Sequence, residues 1–219
     1  MRRRPRSVLA ATTGVMVLLL AAVAPQAAVA AQADKQPVND FVTGDPVTGA
    51  FSKLGRSDDA VSSKVRTDVT PGHAITMWYV IFNAPGLCNT GGCGEDDIFV
   101  GGIPGQFDLA QIAAVRISVV YGGDGGVANA GGRLALDGGL AEGEVPTGSA
   151  QVVIGDPDDG AFVPSPVTGV EDAQTAEIHI VLQDHGAAHT DPVTLEEQTS
   201  GFQAHCNPDC VDVQFAVHK

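Results

Sequence analysis

Basic residues are scarce in this chain and unevenly placed. Four of the 12 lysines and arginines are Arg2, Arg3, Arg4 and Arg6; the remainder keeps eight against 26 acidic residues, a formal charge of −18. Nucleic acid and anionic lipid are held by clustered Lys and Arg that displace counterions, so neither is an expected partner. A charge of this sign favours solubility and divalent cations. Aromatics are also few. Trp78, Tyr79 and Tyr121 are the only Trp and Tyr residues and read as buried, so a sugar-stacking platform is not expected. Nucleophile motifs are missing: there is no G-x-S-x-G, no S-x-x-K, and no cysteine left over once four have paired. An enzyme is therefore not the expected reading. Internal repeats of 20–50 residues are absent as well.

What is present begins with an export pattern. The arginines open a basic segment, Val8 to Ala24 is apolar and uncharged, and Ala28-Val29-Ala30 supplies the small residues a signal peptidase cuts after. Ala31-Gln32-Ala33 repeats that pattern, so residues 1–30 read as a signal peptide cut after residue 30 or 33. The apolar stretch is shorter than the roughly 20 residues a stable membrane span needs. A secreted, extracellular protein of bacterial type is expected, with no membrane span after cleavage.

Cys88, Cys93, Cys206 and Cys210 form an even set, which in an exported chain suggests disulfides. Local pairs, Cys88–Cys93 and Cys206–Cys210, each enclose a turn and would brace loops rather than hold the fold. A zinc site from all four is the alternative that an oxidising compartment disfavours.

Residues 31–59, broken by Gly44-Asp45-Pro46 and Asp58-Asp59, read as a loose N-terminal arm with one short strand. From residue 60 to 219 the period is two. Val61, Val65 and Val69 share one face opposite Lys64, Arg66 and Asp68. Residues 74–83 (AITMWYVIFN) are apolar on both faces, as in a central buried strand. Further strands are expected at Val115 to Tyr121 (Ile117, Val119 and Tyr121 inward, Ser118 outward), after a turn at Gly122 to Gly126, and at Gln151 to Ile154. Another is expected at Ala176 to Asp184 (Ile178, Ile180 and Leu182 inward). The last, Val211 to Val217, should turn its Val and Phe residues inward and Asp212, Gln214 and His218 outward. Short helices are expected at Asp108 to Ala114 and from the capping-box spacing at Thr194 to Glu197. The fold class is all-β: an antiparallel β-sandwich of about seven or more strands with long loops and one or two short helices.

Three segments carry a likeness. Pro71-Gly72-His73 leading into MWYVIFNAP, Ala176 to Leu182 with His185-Gly186, and Cys210 to His218 together resemble a group of small secreted bacterial proteins without an assigned activity. That resemblance implies export, a β-rich domain and paired cysteines. The Glu177-Ile-His-Ile strand also resembles the His-x-His strand of chordin-type (CHRD) domains, with Glu177 standing at the first histidine.

Two constellations could carry chemistry. Five of six histidines lie in the last 41 residues. If the strands bearing them are neighbours, His179, His185, His218, Glu177 and Asp212 could converge on one outward face as a copper or zinc site. Asp156, Asp158 and Asp159, or alternatively Glu95, Asp96 and Asp97, offer oxygen ligands for a surface calcium. The leading expectation is a monomeric, non-enzymatic extracellular domain that binds an unknown ligand or protein, without a cofactor. The alternatives are a copper- or zinc-binding protein and a secreted hydrolase.

Overall fold

The computed structural model describes residues 34–89, 91–103, 106–147, 149, 153–154, 163–164, 168–201 and 204–219. The export pattern and Asp156, Asp158 and Asp159 lie outside them. Two antiparallel sheets stack as a sandwich. β1 (Asp34–Gln36), β3 (Phe51–Arg56), β4 (Ala60–Asp68) and β7 (Arg133–Ala141) form one, in the order β1-β3-β4-β7. β2 (Asn39–Asp40), β5 (His73–Phe82), β6 (Ile117–Val127), β10 (Glu177–Ala187) and β11 (Val211–His218) form the other, in the order β2-β11-β10-β5-β6. β8 (Val153–Ile154) and β9 (Val163–Pro164) pair with each other, so of the strand expected at 151–154 only the last two residues are described.

Alternation fills the space between the sheets. Leu54, Val61, Val65, Leu134, Leu136 and Leu140 meet Ile75, Met77, Tyr79, Ile81, Ile178, Ile180 and Leu182, all buried. β5 sits between β10 and β6 and is buried on both faces, which is why its sequence lacks polar alternation. Its outer face, with Trp78 and Phe82, packs under residues 85–115, including α1 (Leu109–Val115). Asp108 caps α1 by accepting from the Gln111 amide at 3.0 Å.

Four expectations need correction. Residues 34–59 are not a loose arm: they supply edge strands to both sheets, and Val38 and Leu54 are core residues. Ser118 is not outward; it is buried and its hydroxyl accepts from the Gly169 amide at 3.1 Å. Gly122 to Gly126 is not a turn but the second half of β6, and the chain turns instead at Asn129 to Gly132. Those glycines serve close approach: a Cβ on Gly125 would strike the Thr199 carbonyl, and one on Gly138 in β7 would strike the Gly122 carbonyl. The second helix, α2 (Pro192–Gln198), starts before the capping-box Thr194, because Asp191 caps it and Pro192 fits its first turn.

Candidate functional site

The histidines do not converge. β10 and β11 are neighbours as the metal reading needed, but Ile178 stands opposite His218, so His218 shares the inward face of Ile178 while His179 faces the other way. From Gln214 to His218 the parity of β11 is the reverse of that expected, whereas beyond the register shift Asp212 is exposed and Val213 packs against the core, as expected. Gln214 and His218 can point inward because partners await them: Thr67 donates to Gln214 Oε1 at 2.7 Å, and His218 meets Ser52 Oγ at 2.9 Å and Asp34 Oδ2 at 3.0 Å. Phe215, turned outward, packs edge-on against Phe41 at 5.9 Å.

His179 holds Glu177 at 2.9 Å and tilts over the Phe82 ring at 4.9 Å. His185 lies further along β10, between Thr76 and Ala204, and Asp212 accepts from Gln183 at 3.3 Å. Burial holds all three histidines, 179, 185 and 218, below the ordinary imidazole pKa, with Glu177 and Asp34 partly offsetting it at the first and last. These are neutral, hydrogen-bonded structural groups.

The cysteines pair locally, Cys88–Cys93 and Cys206–Cys210, with S–S separations of 2.03 and 1.94 Å. Sulfur, imidazole and carboxylate atoms do gather at His185/Cys206/Cys210 and at Cys88/Cys93/Asp97. With the sulfurs bonded to each other, neither group offers thiolates to a metal. Asp97, weighed for calcium, is fully buried and accepts from the Asn89 and Gly94 amides at 2.8 and 3.0 Å and from Gln111 at 2.8 Å. It organises the disulfide loop instead.

The arrangement that stands out is one that sequence reading missed. Lys35, Lys53, Lys64, Arg66 and Arg133 all lie on the outer face of the four-stranded sheet, and they are five of the eight basic residues after position 33. Pairing aligns them: Lys35 stands opposite Lys53, Lys53 opposite Lys64, and Lys64 opposite Asp137. In the next row Phe51 stands opposite Arg66, and at the sheet's end Asp68 stands opposite Arg133. Neighbouring strands lie about 4.8 Å apart, so the three lysines form a row across the sheet.

Asp68 and Asp137 are the only acids on this face among its strand residues, which leaves it a formal +3 on a chain that is otherwise strongly negative. Asp137 contacts Lys64 at 3.0 Å and Arg66 at 3.2 Å, and these partners, the Lys64 hydrogen bond above all, lower its pKa. Among the described residues Lys35 and Lys53 have no such carboxylate; their ammonium groups sit 4.8 and 5.7 Å from the centroid of the Phe51 ring. Beside Arg66 the face opens into a cleft of about 430 Å³, reached also by Asp68, Arg133 and the Thr48–Ala50 loop. The lysine row, the aromatic ring and the arginine cleft thus share one face of the sheet.

Neither protein-family models nor curated proteins nor solved structures give a match to this chain. Among the described residues, no helix is long and apolar enough to cross a membrane.

Proposed function

We propose that this is an exported, non-enzymatic binding domain whose four-stranded sheet takes an anionic extracellular polysaccharide, specifically a carboxylate-bearing one. The observation that carries it is the segregation of charge: five of the eight cations after residue 33 share one exposed face, while the net charge of those residues is −18. A polyuronate carries one carboxylate per sugar ring along a ribbon. The lysine row offers cations at a comparable repeat, about 4.8 Å, and Phe51 offers an apolar ring between them. The open face can take a polymer lying across it, and Arg133 at the cleft can meet a carboxylate at one end.

Export is inferred from the leader pattern, and the two disulfides and the absence of a spanning helix among the described residues are compatible with it. The resemblance to small secreted proteins and the hydrolase alternative add no substrate.

The test is binding of the mature chain to immobilised polygalacturonate beside neutral dextran at 0.15 M salt. Retention on the acidic polymer, lost in Lys53→Glu/Lys64→Glu, supports the reading. Equal retention on dextran, no retention on either, or preferential capture by phosphatidylglycerol vesicles overturns it.

A further inference from the structure

The Cys206–Cys210 loop has a feature that bracing does not require. It folds over the end of β10, directly above His185, whose side chain is fully buried. His185 Nδ1 lies 2.9 Å from the Ala204 carbonyl and 3.4 Å from Cys210 Sγ. Its Nε2 lies 2.8 Å from Thr76 Oγ1, which accepts the Trp78 indole N–H at 2.8 Å. The Ala204 carbonyl can only accept, so in the neutral imidazole the proton resides on Nδ1, facing the Ala204 oxygen and the Cys210 sulfur, and Nε2 accepts the Thr76 hydroxyl proton. A neutral imidazole donor is thereby fixed against one sulfur of the pair.

The loop is also anchored independently of its disulfide. The Asn207 amide donates to His185 O at 2.8 Å, the Ala187 amide to Asn207 O at 3.3 Å, and Gln198 Nε2 to His205 O at 3.2 Å. The other disulfide differs in its surroundings. Cys93 is only 8 % exposed and packs in the apolar layer over Phe82, and the group gathered with its sulfurs is the carboxylate of Asp97, which disfavours a thiolate, in place of an imidazole N–H.

We propose that Cys206–Cys210 is an exchange-active disulfide, with Cys206 the sulfur attacked and Cys210 the leaving group held by His185. An external thiolate attacks Cys206 Sγ; the S–S bond breaks and its electron pair departs on Cys210 Sγ, which the Nδ1–H stabilises. A second thiol of the reductant attacks the reductant's own sulfur in the mixed disulfide. Cys206 is released, and the reductant leaves as a disulfide. Two electrons and two protons pass from a dithiol to the protein, and the reverse direction oxidises a partner dithiol. Asp209, between the cysteines, is exposed, so water screens its charge from the developing thiolate.

The full oxidised chain is treated with graded glutathione, quenched by alkylation and mapped by mass spectrometry. Cys206–Cys210 opens at least tenfold faster than Cys88–Cys93, with the circular dichroism unchanged, and trapped glutathione is found on Cys206. Simultaneous opening, the reverse order, or glutathione on Cys210 overturns the proposal. In single-thiol variants, Cys210 (with Cys206→Ala) alkylates at lower pH than Cys206 (with Cys210→Ala), and His185→Gln abolishes that difference. Equal profiles overturn it, and because they come from chains that retain His185 they do not depend on that variant folding.

Discussion

The charge segregation makes an unusual demand on how polyanion binding responds to salt. An ordinary basic protein binds best at the lowest salt, since nothing opposes its cations. Here the face carries +3 and everything else after residue 33 carries −21, so the sign of the net field depends on how far it reaches. For a ligand carboxylate about 7 Å from the face charges and about 20 Å from the rest of a domain this size, Coulomb's law in water can be screened at each ionic strength. At 0.01 M the screening length is about 30 Å, and attraction of about 1.4 kcal/mol loses to repulsion of about 2.2 kcal/mol per carboxylate. At 0.15 M it is about 8 Å, and about 0.7 kcal/mol of attraction outweighs about 0.4. At 1 M it is about 3 Å, and the remaining attraction falls below about 0.2 kcal/mol. Retention on polygalacturonate should therefore pass through a maximum near physiological salt. In Lys53→Glu/Lys64→Glu the face falls to −1, and no salt concentration should restore binding. Affinity that declines steadily from 0.01 M upward would falsify the reasoning, as would binding that the double variant leaves intact.

Other expectations follow from single groups. Burial depresses the pKa of His179, His185 and His218, so the unfolded chain takes up more protons than the native one as pH drops. Stability is thus full above the unfolded imidazole pKa of about 6.5 and falls below it; denaturant midpoints should drop as the pH is taken below about 6.5, and His218→Gln should flatten that slope. The carboxylates with lowered pKa, such as Asp137 and Asp172, begin to add their loss only at more acid pH, so the first fall on acidification belongs to the histidines. Gly138→Ala should cost about 3 kcal/mol in urea unfolding, because its Cβ meets the Gly122 carbonyl and the Met77 and Tyr79 side chains, whereas Ala at the open, negative-φ Gly86 should cost under about 0.5. Converting Cys206 and Cys210 together to Ala should cost only about 2 kcal/mol, the value for so short a loop; a loss near 5 would mean that the staple holds the whole fold.

Much of the architecture was legible because burial imposes period two. Val61 to Asp68 and Ile178 to Leu182 alternate as their one-sided packing requires, and the doubly apolar stretch at 74–83 marked the central strand β5. The reading failed where polar groups are buried or glycines are used for contact rather than for turning. Ser118, Gln214 and His218 look outward-facing in sequence, and only tertiary partners at Gly169, Thr67, Ser52 and Asp34 make their burial tolerable. The glycines of β6 resemble a hairpin until the carbonyls of Thr199 and Met77 are seen against them.

The binding face was hidden for a different reason. Each cation on it belongs to a strand that is unremarkable alone; Lys35, Lys53, Lys64 and Arg133 become neighbours only through the β1-β3-β4-β7 order, which no local pattern encodes. Net charge then pointed away from an anionic partner, since −18 summed over the residues after position 33 conceals a +3 face. The sum governs behaviour only when the screening length approaches the size of the domain; at about 8 Å, in physiological salt, a ligand on one sheet scarcely senses acids behind the other, about 10 Å and more away. On the proposed reading the acidic remainder has a role of its own. It repels the polymer from every other approach, so the domain presents the lysine row or nothing. It also repels neighbouring copies, so bound domains space themselves along a chain rather than aggregate on it.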